Sequence, residues 1–406
     1  MKNRILSLLL AVCILLSTAF AITASADGPI LRFNKNGEFT ILHLADMQDR
    51  YPAKEKMMKY VDTMLKTYKP DLVVLGGDNT VGPTEIKEDA VKELTALFVE
   101  NKTYFTFVFG NHDHEFIGSN EAETQEEAKL YLLSLFKKYS GEYCLTYDAV
   151  PALHGVGTHN LPIFASDSAK IKFNLWLFDS GSYALDENGD KLGYDCVRED
   201  QIKWYQDTSK VLDNLAGEKV NSLAFQHIVV GDVYDNLFYE APFDMGELGR
   251  NFNGKHYSFL PKTENFTGHL LEFPCPGYYN CGQFDAMVEQ GNVLAVFSGH
   301  DHVNSYETLK DGVWIINTPG ATLNSYGNDL VRGSRIITIK ESNTSTFESK
   351  VITMNDLAIA DSDFAQATGT SQLGARILTA LGEFAQSLSK IAAPLFKVFG
   401  LIGSIA

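Results

Sequence analysis

From residue 39 onward, short apolar runs alternate with stretches in which apolar side chains recur every three or four positions. The runs at 39–45, 71–76 and 104–109 are continuous and rich in β-branched or aromatic residues, the pattern of buried strands. Helical spacing follows each of them, near 54–68, 85–100 and 123–139. This alternation predicts an α/β sandwich. Runs at 172–178 and 222–225, with a helix near 199–214 between them, continue the series. The segments 293–297, 305–309, 313–317, 334–339 and 346–353 then predict a strand-rich end. Residues 230–280, rich in Gly, Pro and aromatics, predict a long loop region, and loops of that length inside a domain are usually functional.

The two ends follow other patterns. Lys2 and Arg4 precede an almost wholly apolar stretch from Ile5 to Ala21, and Ala24-Ser25-Ala26 fits the small-x-small cleavage rule. Residues 1–26 are therefore expected to be a signal peptide, with a retained membrane anchor as the alternative. The expected location is secreted or extracytoplasmic, with cell-surface association as an option. The polar, small-residue segment 356–372 reads as a linker after a domain at 27–355. In 373–406, apolar residues from Ile377 to Ile405 recur at alternating four- and three-residue steps, which predicts an amphipathic C-terminal helical tail. Such a stripe suits peripheral membrane contact, or docking on the chain's own domain or a second subunit. Pro394, Gly400 and Gly403 interrupt it, and it lacks the run of about 20 apolar residues that a span needs.

Charge narrows the functional classes. The 406 residues carry 34 Lys+Arg against 51 Asp+Glu, a net −17. Nucleic-acid binding rests on clustered basic residues, so no nucleic-acid partner is expected, whereas a small phosphorylated substrate remains compatible. Cys144, Cys196, Cys275 and Cys281 follow the leader. Cys275 and Cys281 flank the turn-rich Pro-Gly-Tyr-Tyr-Asn and could close a small disulfide loop, with four free thiols as the alternative.

The candidate chemistry lies where strands end. Asp46 and Gln48, then Gly77-Asp78, then Gly110-Asn111-His112-Asp113 follow the first three runs. Asp46 to Asp78 is 32 residues and Asp78 to Asn111 is 33, one strand–helix unit each. Parallel neighbouring strands would bring these ends to one crevice. His227 ends a later run, and Gly299-His300-Asp301-His302 follows another. Asp46, Gln48, Asp78, Asn111, His227, His300 and His302 offer oxygen and imidazole donors without thiolate, which suits Mn, Fe or Zn. They are too many for one tetrahedral ion and suit two divalent ions about 3.5–4 Å apart.

This ordered set resembles the calcineurin-like metallophosphoesterase superfamily over roughly residues 38–353. Asp179-Ser180-Gly181-Ser182-Tyr183, Cys281-Gly282-Gln283-Phe284-Asp285 and Gly299–Asn304 extend the resemblance to the branch related to purple acid phosphatases. The resemblance implies a metallo-dependent phosphatase fold, a four-layer α/β sandwich of two mixed β-sheets flanked by helices. It implies that Asp46, Gln48, Asp78 and His302 hold a first metal and that Asp78, Asn111, His227 and His300 hold a second. It further implies attack by a metal-bound hydroxide, with His112 near the leaving group and, with Asn111, against the substrate. Gln48, a weaker neutral donor, stands where many members have His. Val81 stands where purple acid phosphatases place Tyr, so no tyrosinate–iron colour is expected, and an intense visible band in the metal-loaded protein is the contrary result. His114 and Glu115 are candidate supporting residues, and Arg50 is a candidate phosphate contact. The expected function is an exported metal-dependent phosphoesterase acting on phosphate mono- or diesters. The alternatives are a nucleotide-type diphosphatase and a non-catalytic metal-binding surface protein.

Overall fold

Three strand–helix units build the first half of the chain. Strands β1 (Glu38–Leu44), β2 (Leu72–Leu75) and β3 (Phe105–Phe107) are followed by helices α1 (Glu55–Tyr68), α2 (Thr84–Glu100) and α3 (Gln125–Ser140). The computed structural model describes residues 29–359 apart from 119, 245, 247 and 248. The expected signal peptide, the C-terminal tail and most of the linker lie outside these residues. In α1 the buried Met57, Tyr60, Val61, Met64 and Leu65 form one stripe at helical spacing. In α3, Thr124 accepts from the Glu127 backbone N–H and the Glu127 side chain reaches back, which satisfies amides the first turn cannot pair internally.

The middle of the chain contributes β4 (His159–Phe164), β5 (Ile171–Leu177), the ribbon β6 (Tyr183–Leu185) and β7 (Lys191–Tyr194), α4 (Glu199–Ala216) and β8 (Ser222–Phe225). After α5 (Val233–Leu237) come β9 (Phe238–Ala241), β10 (Gly249–Phe252), β11 (Lys255–Pro261) and β12 (Phe266–Thr267). The chain continues through α6 (Gln283–Gln290), β13 (Val293–Ser298), β14 (Glu307–Lys310), β15 (Val313–Asn317), β16 (Gly333–Lys340) and β17 (Asn343–Thr353). One sheet has the order β17-β16-β1-β2-β3, the other β12-β14-β15-β13-β8-β5-β4. Each is mixed. β1, β2 and β3 run parallel, as do β5, β8, β13 and β15, while outer strands run antiparallel.

The sheets pack face to face and each carries helices outside, as the α/β sandwich expectation required. Strand alternation shows why. In β2, Leu72 and Val74 join the core between the sheets, and Val73 and Leu75 face the helical layer of α1, α2 and α3. In β13, Ala295 and Phe297 point inward and Val293 and Val296 face the layer that includes α4 and α6. Strands covered on both faces need apolar residues at every position, hence the continuous runs.

Residues 230–280 depart from expectation. They hold α5, β12 and the small sheet β10-β11-β9 rather than one long loop. Tyr234, Phe238 and Tyr257 bury against the second helical layer, with Phe252 and Phe273 packed beside them, so the aromatics are core and the glycines punctuate hairpins. The sequence pattern also misses β4, whose His159, Asn160 and Pro162 break an apolar run. Proline is tolerated there because β4 is an edge strand. No helix among the described residues is long and apolar enough to cross a membrane.

Candidate metal centre

The five polar clusters follow the carboxyl ends of β1, β2, β3, β8 and β13, and the two sheets bring them to one place. All seven expected donors are buried: Asp46, Gln48, Asp78, Asn111, His227, His300 and His302. The backbone turns sharply to aim them. Asp46, Gln48, Asp78 and His300 all have positive φ, between 43° and 70°. This left-handed region is uncommon for residues with a Cβ and concentrates at functional sites, where the surrounding structure enforces it.

Each carboxylate uses one oxygen for the scaffold and turns the other toward the imidazoles. Asp46 Oδ2 accepts the His300 backbone N–H at 2.9 Å, and Asp78 Oδ1 accepts that of His112 at 2.8 Å. Asp46 Oδ1 lies 3.4 Å from His302 Nε2 and 3.9 Å from His227 Nε2. Asp78 Oδ2 lies 3.5 Å from His227 Nε2. The imidazoles are oriented from behind. His227 Nδ1 donates to Gly76 O and His302 Nδ1 to Tyr326 O, both at 2.9 Å, which leaves each Nε2 facing the carboxylates. Tyr326 also stacks flat on His302, and Tyr194 meets His300 edge-on, each with ring centroids 4.2 Å apart. Asn111 Oδ1 is 3.2 Å from His227 Nε2.

The electrostatics are those of a site built around positive charge. Burial opposes the charge on Asp78, yet His227 outweighs it and holds the carboxyl below its usual range. Burial likewise opposes the charge on His227, but Asp78 and Asp46 lift it to about 10. His302 is lowered by burial and raised, on balance, by Asp46. Burial, reinforced by His227, drives His300 well below the ordinary imidazole range, so its ring stays neutral with a lone pair to offer. The buried Asp46 Oδ1 has no hydrogen-bond partner. Ligand atoms of Asp46, Asp78 and His302 all lie within 4.8 Å of one another, a group able to hold a metal ion. An orphaned carboxylate oxygen among imidazoles fits a divalent cation, which supplies the charge that protonated histidine otherwise provides.

Gln48 sits at the same carboxylate, with Nε2 donating to Asp78 Oδ2 at 2.9 Å. Half a turn of the amide presents Oε1 instead. Asp113 is not part of the donor group but scaffolding. It accepts from the backbone of Gly110, Asn79 and Thr80 and so ties the turn after β3 to the turn after β2. Burial, then Asp78 nearby, pushes its carboxyl up to about 6. Above the donors opens a cavity of about 410 Å³, lined by His112, Glu115, Phe116, Tyr194 and Tyr326 among others. His112 Nδ1 is 2.6 Å from Glu115 Oε2. Tyr183 OH contacts both Glu115 and Asn111, at 3.3 and 3.4 Å.

A model of the calcineurin-like phosphoesterase family matches residues 39–304, a segment that contains all seven donors. The chain belongs to this family. A relative from Arabidopsis thaliana, named probable inactive purple acid phosphatase 14, is 31% identical over 322 residues, covering 73% of this chain and 74% of that protein. A second, named probable inactive purple acid phosphatase 29, is 26% identical over 336 residues, covering 75% and 77%. Phosphatase DCR2 of Saccharomyces cerevisiae is 27% identical over 310 residues, covering 70% of this chain and 48% of its own length.

Two expectations for this calcineurin-like phosphoesterase need correction. Arg50 is exposed and borders a separate small pocket beside Met47 and Met57, not the cavity over the donors. Its neighbour Asp49 accepts the Arg50 backbone N–H, so the chain turns outward there. The Cys275–Cys281 loop is not formed either. Cys281 Sγ lies 3.1 Å from Cys196 Sγ, while Cys275 Sγ reaches the Phe273 carbonyl. Tyr326, Tyr194 and Glu272 escaped the sequence reading, because nothing in their local pattern marks them. Glu272 accepts from Tyr326 OH at 3.1 Å, completing the support behind His302.

Gly110 shows how little room the centre leaves. A Cβ there would lie 2.1 Å from Asp78 Oδ1 and 2.3 Å from the Asp78 backbone nitrogen. Gly110→Ala is expected to displace Asp78 and to cost about 1–3 kcal/mol by overpacking. Metal content of the purified variant is expected to fall below that of the parent, measured by atomic emission beside a thermal melt. Parental metal content would show that the turn yields.

Proposed function

We propose that this chain is an exported hydrolase of phosphate mono- or diesters, working with two divalent ions held by the seven donors. The observation that carries the reading is the complete donor set, with its orphaned Asp46 Oδ1, under a cavity lined by the His112–Glu115 pair. Two relatives named probable inactive resemble this chain in sequence over about three quarters of its length. The presence of both the donors and the His112–Glu115 pair is what supports turnover here.

Bound divalent ions would polarise the phosphoryl oxygens and lower the pKa of a water. The chain's own residues do the rest. Asp78 would serve both ions, Asp46 and His302 the first, Asn111, His227 and His300 the second, and Gln48 would complete the first through its amide oxygen. Glu115 fixes the His112 ring through Nδ1, so that Nε2 can hand a proton to the departing ester oxygen. Tyr183, in contact with Glu115 and Asn111, holds that pair in register. Among the described residues no Lys or Arg lines the cavity, so substrate charge would be met by the ions, which suits a small phosphorylated substrate.

The test is hydrolysis of p-nitrophenyl phosphate and its bis ester with added Mn²⁺, with and without a chelator. Metal-dependent release of nitrophenolate is expected from at least one ester. Activity that survives exhaustive chelation contradicts the mechanism, and two bound metals without turnover on a broad ester screen favour the non-catalytic reading. Phe116, 73% exposed at the cavity mouth beside His112, favours a second substrate reading, because its ring can stack on a nucleobase. A preference for ADP-ribose over phosphomonoesters would establish the diphosphatase alternative. Export rests on the leader pattern, and fractionation of cells expressing the full chain checks it.

A further inference from the structure

The segment after β7 and the segment before α6 are far apart in sequence and joined in space. Tyr194 forms a parallel bridge with Gly277, and the Tyr278 N–H donates to Tyr194 O at 2.7 Å. The approach is so close that a Cβ at Gly277 would sit 2.4 Å from Asp195 O and 2.8 Å from Cys196 Cβ. Beside this bridge, Cys196 Sγ and Cys281 Sγ lie 3.1 Å apart across 85 residues of chain. Backbone hydrogen bonds, rather than chance rotamers, hold the two thiols together. On the other side of the same strand end, the Tyr194 ring walls the metal centre against His300.

We propose that Cys196 and Cys281 are a disulfide-forming pair, and that the bond clips the Tyr194 wall of the metal centre to the loop before α6. The oxidant is a small-molecule or protein disulfide, of which oxidised glutathione is the simplest. One cysteine thiolate attacks that disulfide and expels one thiol. The second then attacks the mixed disulfide, expels the other thiol and leaves the Cys196–Cys281 bond. Two thiols are oxidised, one external disulfide is reduced, and the two protons end on the released thiols. Burial, then Cys281 beside it, raises the Cys196 thiol above its ordinary range, so the exchange calls for mildly alkaline buffer or a catalyst of exchange. The bond closes a long loop containing β8, His227 and the small sheet, where a cross-link restricts the unfolded chain strongly. Cys144 is buried and Cys275 has no thiol within reach among the described residues, so both stay reduced.

The pair is tested by incubating the full chain with oxidised glutathione, unfolding it with a thiol-blocking reagent present, and mapping peptides by mass spectrometry without reduction. The expected product links the Cys196 and Cys281 peptides and leaves Cys144 and Cys275 blocked as thiols. Reduction of that product is expected to lower Tm by about 5 °C. Cys275→Ser is expected to keep the link. Cys281→Ser is expected to abolish it and to make Tm insensitive to reductant. A Cys275–Cys281 link, or all four thiols blocked after oxidation, overturns the proposal. Neither readout depends on catalysis, so the result stands apart from the ester-hydrolysis test.

Discussion

Asp78→Asn is expected to lower kcat/KM at least about 10³-fold, about 4 kcal/mol of transition-state stabilisation, and to reduce bound metal. In the proposed arrangement Asp78 is the residue shared by the two halves of the donor set. Its Oδ2 faces His227 at 3.5 Å and the Gln48 amide at 2.9 Å. An asparagine keeps an oxygen to accept the His112 N–H, so the turn after β3 should survive and the loss should be one of charge rather than of fold. Without that carboxylate, His227 loses its largest stabilising partner and returns toward a neutral ring. Metal analysis, circular dichroism and ester kinetics on one preparation separate these effects. Folded Asp78→Asn protein within tenfold of parental activity would rule out a bridging role for this residue.

Lys129→Met is expected to destabilise the protein by about 3–5 kcal/mol, the range for breaking a buried ion pair from one side. Lys129 Nζ lies 2.9 and 2.8 Å from the two oxygens of Asp179, with side chains only 4% and 1% exposed. Asp179 also accepts from the backbone of Val156 and Gly181, so it cannot turn away to find water. Removing the lysine leaves a buried carboxylate without its counter-charge. Adding Asp179→Asn removes the charge, keeps an acceptor for one of the two amides, and is expected to restore about half of the loss. Urea denaturation of the two single variants and the double variant reads this directly. A single Lys129→Met variant within about 1 kcal/mol of the parent would show that the pair behaves as an exposed one.

The pair also illustrates the limits of a local reading. Lys129 lies on α3, where nothing local marks it, and Asp179 follows β5. Asp179 belongs to a motif that could be noticed, but its partner is 50 residues away and on the other layer. The same holds for Tyr326 behind His302, and for Cys196, whose thiol lies beside that of Cys281 across 85 residues of chain. Sequence proximity predicts small loops well when a turn closes them. Here the strand end at Tyr194 pairs with Gly277 and places Cys196 first.

The sequence by itself determined the α/β alternation, the continuous strands of two doubly covered sheets, and the strand-end polar clusters that carry the seven candidate donors and His112. Those features are local: a strand buried on both faces must be apolar at every position, and a donor cluster must follow the strand that delivers it. Only the tertiary structure decided which donors share a carboxylate, that Asp46 Oδ1 is left without a partner, that Arg50 turns away, and that Glu115, Tyr326 and Cys196 face the groups they do. Those relations join segments tens to hundreds of residues apart. They are set by how two twisted sheets pack and by where backbone amides need acceptors, neither of which is written in any one stretch of chain.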